Sequence, residues 1–292
     1  MRISMVKFTL ASLALLLVLA PGAQATLLLS LDARMPGSSP ATQWEDLTGQ
    51  NQPFSLNAGN GGLPFIHSGW GPSPPDPAYQ LYDKSFILGN VADEGNFDFG
   101  LGDAFTVVTR SNHSSAGSNH LGVSKGNMTT QHWAAGGGLG NEVAAIDIGA
   151  DNGGSRNYVR AYHPGNNSQP IPSDGDGMAT YVFHFDGTGF GQIYIDGVAT
   201  TNNIFANTGG SPLNNEPLRL GIPNGPGGGA PNYNGRLQFV EIWSGSTVAG
   251  MTPAAYAAFR AANTDLIRIP EPTSLCLLAL GGLALAVRRR VR

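Results

Sequence analysis

Short runs rich in β-branched and aromatic residues, cut apart by glycine and asparagine, leave this chain little to fold into except β-sheet. Candidate strands lie at 27–31, 105–110, 142–148, 158–163, 181–185, 192–196 and 236–243. Alternation is visible in Gln192-Ile193-Tyr194-Ile195, where Ile193 and Ile195 share one face. Asp186-Gly187 and Asp196-Gly197 end adjoining runs, and Asp-Gly pairs suit hairpin turns that need positive φ. No alternation of strands with helices supports a parallel α/β sheet. The pattern predicts an all-β sandwich or barrel, and without an internal repeat it predicts one domain. A single helix is expected at 252–262. Thr252 is placed to cap it and Pro253 to open it, with Tyr256 and Phe259 three apart on one side, and it ends near Asn263.

Composition bounds the rest. Hydrophobic residues are 41% of the 292, enough for a core, so global disorder is excluded. The lone cysteine, Cys276, rules out an intramolecular disulfide and any multi-cysteine zinc site. A net charge of −4 carries no electrostatic footprint for nucleic acid. Between positions 26 and 269 the balance is ten basic to nineteen acidic residues, a net of −9. That charge keeps the segment soluble, disfavours polyanionic partners and permits divalent cations such as calcium.

Both ends of the chain carry addresses. Arg2 and Lys7 precede an apolar run at 8–20, Pro21-Gly22 breaks it, and Ala23-Gln24-Ala25 has the small-x-small form of a cleavage site. This predicts a signal peptide at 1–25, export by the secretion machinery and a mature chain beginning at Thr26. At the other end Pro270-Glu271-Pro272 leads into an apolar segment at 273–287 and an arginine-rich end at 288–292. Fifteen helical residues span about 22 Å, less than the ~30 Å hydrocarbon core, but terminal arginines extend the effective span by snorkelling. The positive-inside bias leaves the tail in the cytoplasm and the main domain outside.

The order of Pro-Glu-Pro, short apolar helix and terminal arginines resembles the PEP-CTERM sorting signal. That resemblance implies a Gram-negative host, transient residence in the inner membrane through the C-terminal helix, and processing by an exosortase. Delivery is then to the cell surface or extracellular matrix. A plain tail anchor is the alternative.

Several internal segments together resemble the LamG-like, concanavalin A-like jelly-roll family. They are Trp44-Glu45-Asp46-Leu47-Thr48-Gly49-Gln50-Asn51, then Phe97-Asp98-Phe99-Gly100-Leu101-Gly102-Asp103-Ala104-Phe105-Thr106-Val107, and the paired elements Tyr181-Val182-Phe183-His184-Phe185-Asp186-Gly187 and Ile193-Tyr194-Ile195-Asp196-Gly197. Leu218-Arg219-Leu220-Gly221, Tyr233-Asn234-Gly235-Arg236-Leu237 and the helix complete the order. The resemblance implies a jelly-roll β-sandwich over 26–264 with a short C-terminal amphipathic helix. A linker at 265–269 then joins the signal at 270–292.

Catalytic motifs fare poorly. Gly122-Val123-Ser124-Lys125-Gly126 has the form of a nucleophile elbow, but no convincing helix follows it. No period-two carboxylate signature of jelly-roll glycosidases occurs, and Glu241 stands alone near Trp243. Asp174-Gly175-Asp176-Gly177 has the spacing but reads as a turn, and Phe185 stands where a calcium loop needs its bidentate glutamate. Asp93, Glu94, Asp98 and Asp103 form an acidic cluster; some LamG relatives bind calcium at such loop acids. No zinc spacing is found among the histidines. The expectation is therefore no catalytic and no metal site.

Trp70, Trp133 and Tyr233 lie in glycine-rich surroundings and are candidates for stacking on a sugar, with core packing equally open. Three classes follow: a non-catalytic surface or matrix protein that binds a ligand or mediates adhesion, a lectin-like module for extracellular polysaccharide, and a polysaccharide hydrolase. Fold analogy does not choose among them.

Overall fold

The computed structural model describes residues 25–35, 43–57, 65–67, 78–80, 85–88, 95–113, 122–126, 131–136, 144–152, 155–163, 178–200, 203–205, 212–221 and 235–266. Two antiparallel sheets and one helix are built from them. Numbered along the chain, the first sheet holds β1 (Thr26–Asp32), β4 (Phe65–His67), β5 (Ala78–Gln80), β7 (Phe105–His113), β12 (Ala179–Phe185), β13 (Gly191–Ile195), β14 (Val198–Ala199) and β17 (Gly235–Ser244). The second holds β2 (Gln43–Trp44), β3 (Phe54–Asn57), β6 (Ser85–Leu88), β8 (Val123–Gly126), β9 (Gln131–Ala135), β10 (Ala144–Asn152), β11 (Ser155–His163), β15 (Asn203–Phe205) and β16 (Leu218–Leu220).

The first sheet runs β14-β13-β12-β7-β17-β5-β4, and the second β15-β11-β10-β9-β8-β16-β6-β3-β2. One edge of β17 serves two strands in turn: β5 pairs with Arg236 and Leu237, and β1 with Phe239 to Ser244. A bulge between Leu237 and Phe239 separates the two stretches, and the Ala33 amide donates to the Gln238 carbonyl there at 2.8 Å.

Alternation along the strands builds the core. Leu29, Leu31, Phe105, Val107, Tyr181, Phe183, Phe185, Ile193, Val240 and Ile242 of the first sheet meet Trp44, Phe54, Val123, Trp133, Ile146, Leu218 and Leu220 of the second. Each fully buried side chain of this size contributes about 1.5–3 kcal/mol relative to exposure. In β12 all seven residues are buried, because the outer face of the first sheet is covered as well. The helix, α1 (Pro253–Ala262), lays Tyr256 and Ala257 there against Val108, Val182, Phe239 and Trp243.

The expected elements are found with small shifts. The helix has Thr252 as its cap, whose hydroxyl accepts from the Ala255 amide at 3.2 Å, and Asn263 at its end. The strand expected at 142–148 runs from Ala144 to Asn152, and that at 105–110 continues to His113. Asp196-Gly197 forms the tight β13–β14 turn with φ of 47° and 81°. Glycine is needed twice over at 197, since a Cβ would sit 3.1 Å from the Ala258 Cα of the helix. Asp186-Gly187, by contrast, opens a five-residue loop rather than a two-residue turn. The Asp186 carboxylate takes the Thr188 amide at 2.7 Å, the Thr188 hydroxyl at 2.8 Å and the Phe190 amide at 3.1 Å. These bonds outweigh burial, which alone would raise its pKa, and hold the group below its ordinary value.

Among the described residues no helix is long and apolar enough to cross a membrane. Residues 1–24 of the expected signal peptide at 1–25, and the apolar tail at 273–287, lie outside those residues.

Candidate functional site

The end of the domain is built with unusual care for a surface segment. Glu241, on the helix-covered face of β17, is buried. Its Oε1 accepts from Arg260 Nη2 at 2.6 Å, and its Oε2 accepts from the Tyr256 hydroxyl and from Trp243 Nε1 at 3.4 Å. Tyr256 and Arg260 come from the same side of the helix, four residues apart. The Trp243 and Tyr256 rings meet edge to face at 5.8 Å, and the Arg260 guanidinium lies 4.0 Å above the Phe239 ring. Burial, reinforced by Glu241, pushes the Tyr256 hydroxyl well above the usual tyrosine value, so it stays a proton donor. A buried ion pair repays its desolvation only when further hydrogen bonds of this kind surround it.

A second arginine completes the arrangement. Arg34 grips buried Asp32 in a bidentate pair, at 2.9 and 2.6 Å. Arg34 Nη1 also donates to the Thr264 carbonyl at 2.8 Å and Nη2 to that of Leu266 at 3.4 Å. Arg260 Nη1 reaches the same Leu266 carbonyl at 2.7 Å and that of Asn263 at 3.3 Å. Two arginines, one from the turn just after β1 and one from the helix, thus tie down the chain just past the helix end. From Leu266, Pro270 lies four residues on, at most about 14 Å even if fully extended.

The other positions singled out from sequence separate clearly. Trp133 is a correction: it is 1% exposed, tilted against Phe99 at 5.6 Å and Phe105 at 5.3 Å, with Nε1 donating to the Phe97 carbonyl at 3.0 Å. Its ring fills the core and has no face to offer a sugar. Trp70 and Tyr233 lie outside the described residues, as do Ala23, Asp174, Asp176, Pro270, Glu271 and Pro272. Ala25 is buried in the layer beneath the helix. Glu241, which stands alone but for Trp243 in the linear order, gains partners from 15 and 19 residues away.

Ser124 is a buried residue inside β8, paired on both sides, and not at an elbow. Its neighbour Lys125 is buried too and donates to Asp98 at 2.5 Å and to the Asn214 carbonyl at 2.7 Å. Asp103 accepts from the Gly100 amide at 2.8 Å, so both described members of the acidic cluster have protein partners. Asp46, in the Trp44–Asn51 segment, accepts from the amides of Ser30, Thr48 and Asn51 at 3.0 to 3.1 Å and from the Asn51 side chain at 2.7 Å. That motif stitches β2 to β1. Among the described residues no group of three or more His, Cys, Asp or Glu side chains is arranged to hold a metal.

The family model for the PEP-CTERM protein-sorting motif matches residues 268–290. The motif therefore begins two residues beyond the last carbonyl held by the arginines, and it marks the chain as an exported surface protein. No curated protein matches the sequence. Among solved structures, the binding domain of Paraclostridial Mosquitocidal Protein 1 is similar with a TM-score of 0.55 at 15% identity, covering 82% of this chain and 52% of that one. Domain 4 of the GH43 extracellular arabinanase AbnA from Geobacillus stearothermophilus, solved with arabinotriose, is similar with a TM-score of 0.52 at 15% identity, covering 82% and 99%. The botulinum neurotoxin serotype G binding domain has a TM-score of 0.51 at 10% identity, covering 82% and 51%. The chain thus spans about half the length of the mosquitocidal and neurotoxin domains. At these identities the likeness is one of fold alone, that of a jelly-roll-like β-sandwich.

Proposed function

We propose that this chain is an exosortase substrate whose β-sandwich is delivered as non-catalytic, ligand-binding cargo to the surface or matrix of a Gram-negative bacterium. The carrying observation is the adjacency of the sorting motif to the arginine-held end of the domain. The tail leaves from residues 263–266, whose carbonyls are held by Arg34 and Arg260, as expected of an address joined to a folded cargo. Export begins with cleavage between Ala25 and Thr26. The apolar helix at 273–287 then halts the chain in the inner membrane, with its arginines inside. Pro270 and Pro272 hold the backbone extended and present Glu271 outside the helix.

The order of elements over 26–264 supports a LamG-like, concanavalin A-like sandwich. A non-catalytic role fits the described buried carboxylates, since Asp32, Asp46 and Glu241 are each spent on arginine, tyrosine or backbone donors. A carbohydrate ligand is favoured by one specific observation, the arabinotriose complex of the similar arabinanase domain.

The test replaces Pro270 and Pro272 with alanine in an exosortase-bearing host. Full-length protein is expected to accumulate in the membrane fraction. Processing and localisation like wild type would reduce the tail to a plain anchor. Glycan-array binding by the wild-type protein tests the ligand class separately.

A further inference from the structure

Residues 263–266 follow the helix without joining a strand, and they are half-buried or exposed. A segment of this kind is where a protease ordinarily gains entry, and the hydrogen bonding of its backbone decides whether it does. A protease takes its substrate extended and pairs with main-chain groups, as an added strand pairs with a sheet edge. Here those groups are engaged. The Asn263 carbonyl accepts from Arg260 Nη1 and from the Leu266 amide, both at 3.3 Å. The Thr264 carbonyl accepts from Arg34 Nη1 at 2.8 Å, and the Leu266 carbonyl accepts from both arginines. The Asn263 amide donates to the Arg260 carbonyl at 3.2 Å.

Two features set these contacts apart from the ordinary finish of a helix. The donors are buried ions fixed elsewhere: the Arg34 and Arg260 side chains are 8% and 1% exposed, and each is paired with a buried carboxylate, Asp32 or Glu241. Both guanidiniums also stand beside the Phe239 ring, 5.9 and 4.0 Å from its centre. Water has little access to compete for the carbonyls, and charge-assisted hydrogen bonds are the stronger kind. The second feature is convergence. One arginine comes from the start of the domain and the other from its end, and they meet on Leu266, two residues before the sorting motif. Neither ion pair needs that reach, since each is closed by its own carboxylate.

We infer that Arg34 and Arg260 make residues 263–266 a proteolytic stop, confining loss of chain at this end to residues beyond Leu266. An address must be removable while its cargo stays whole, and the stop draws that boundary. Trimming that passed Arg260 would leave buried Glu241 without its charge partner. The stop itself stands on the described contacts, and its use in the cell rests on the proposed removal of the tail.

The test treats the full chain in detergent briefly with proteinase K and sorts the released tail fragments by first residue, using mass spectrometry. Fragments beginning at 268–273 should outnumber those beginning at 264–267 by about tenfold, because opening the latter bonds breaks charge-assisted hydrogen bonds. Lysine keeps a charge opposite each carboxylate but loses the fork, so in Arg34→Lys and Arg260→Lys that excess should fall to about twofold. Thr252→Ala weakens the helix cap without touching the arginines and should keep the wild-type excess. Ready cutting within 263–266 in wild type would overturn the stop. So would an unchanged pattern in both lysine variants, or an equal change in Thr252→Ala. Recovery from the host of a chain with its tail attached would overturn the proposed processing and leave the stop standing.

Discussion

The outward faces of the two sheets are written differently. On β17 the outward positions Phe239, Glu241 and Trp243 are all buried under α1, and the one charge among them is saturated by Arg260, Tyr256 and Trp243. On the second sheet the described outward positions Ser124 of β8 and Ala134 of β9 are buried too, but they are small and carry no charge. A face that fixes a separate element spends a single charge and surrounds it. The contrast marks the helix-covered side as the one that fixes the domain and its exit.

The contrast is broken most sharply at Glu241. Glu241→Ala strands the Arg260 charge in a buried layer and should cost about 3–5 kcal/mol, read as a lower urea midpoint and melting temperature. A loss within experimental error would mean that the helix is held by apolar packing alone. A smaller, pH-dependent effect is expected at His184, whose Nδ1 lies 2.9 Å from the Thr106 hydroxyl. Burial lowers its pKa below 6.5 despite the opposing influences of Asp186 and a Phe105 backbone hydrogen bond. The unfolded chain therefore takes up the proton first, and stability should be constant above pH 6.5 and fall as pH drops below it toward the folded value. Urea midpoints on either side of pH 6.5 should differ in wild type and converge in His184→Gln.

Loss of the helix cap in Thr252→Ala should cost about 1 kcal/mol, seen as a small loss of thermal stability.

Legibility in the sequence followed the range of the interactions. The helix was readable to within a residue, because Thr252, Pro253 and Asn263 act on neighbouring backbone. Strands such as β12 and β13 were readable from alternation and from aspartate–glycine pairs. The two-residue strands β2 and β14 were not, since pairing rather than pattern defines them. The Glu241 network was invisible in the linear order, although the four-residue spacing of Tyr256 and Arg260 marks one helix side. For Trp133 the glycines that follow it in sequence left stacking and core packing equally open, while Phe99 and Phe105 surround it in space.

The central claim, that a folded sandwich is carried to the surface and separated from its address, is tested most directly by the intact mass of the protein recovered from the cell surface of an exosortase-bearing host. The account predicts a chain that begins at Thr26, retains the clamped residues 263–266 and lacks the apolar tail at 273–287 with its arginines. Recovery of a chain that still ends at Arg292 would contradict it.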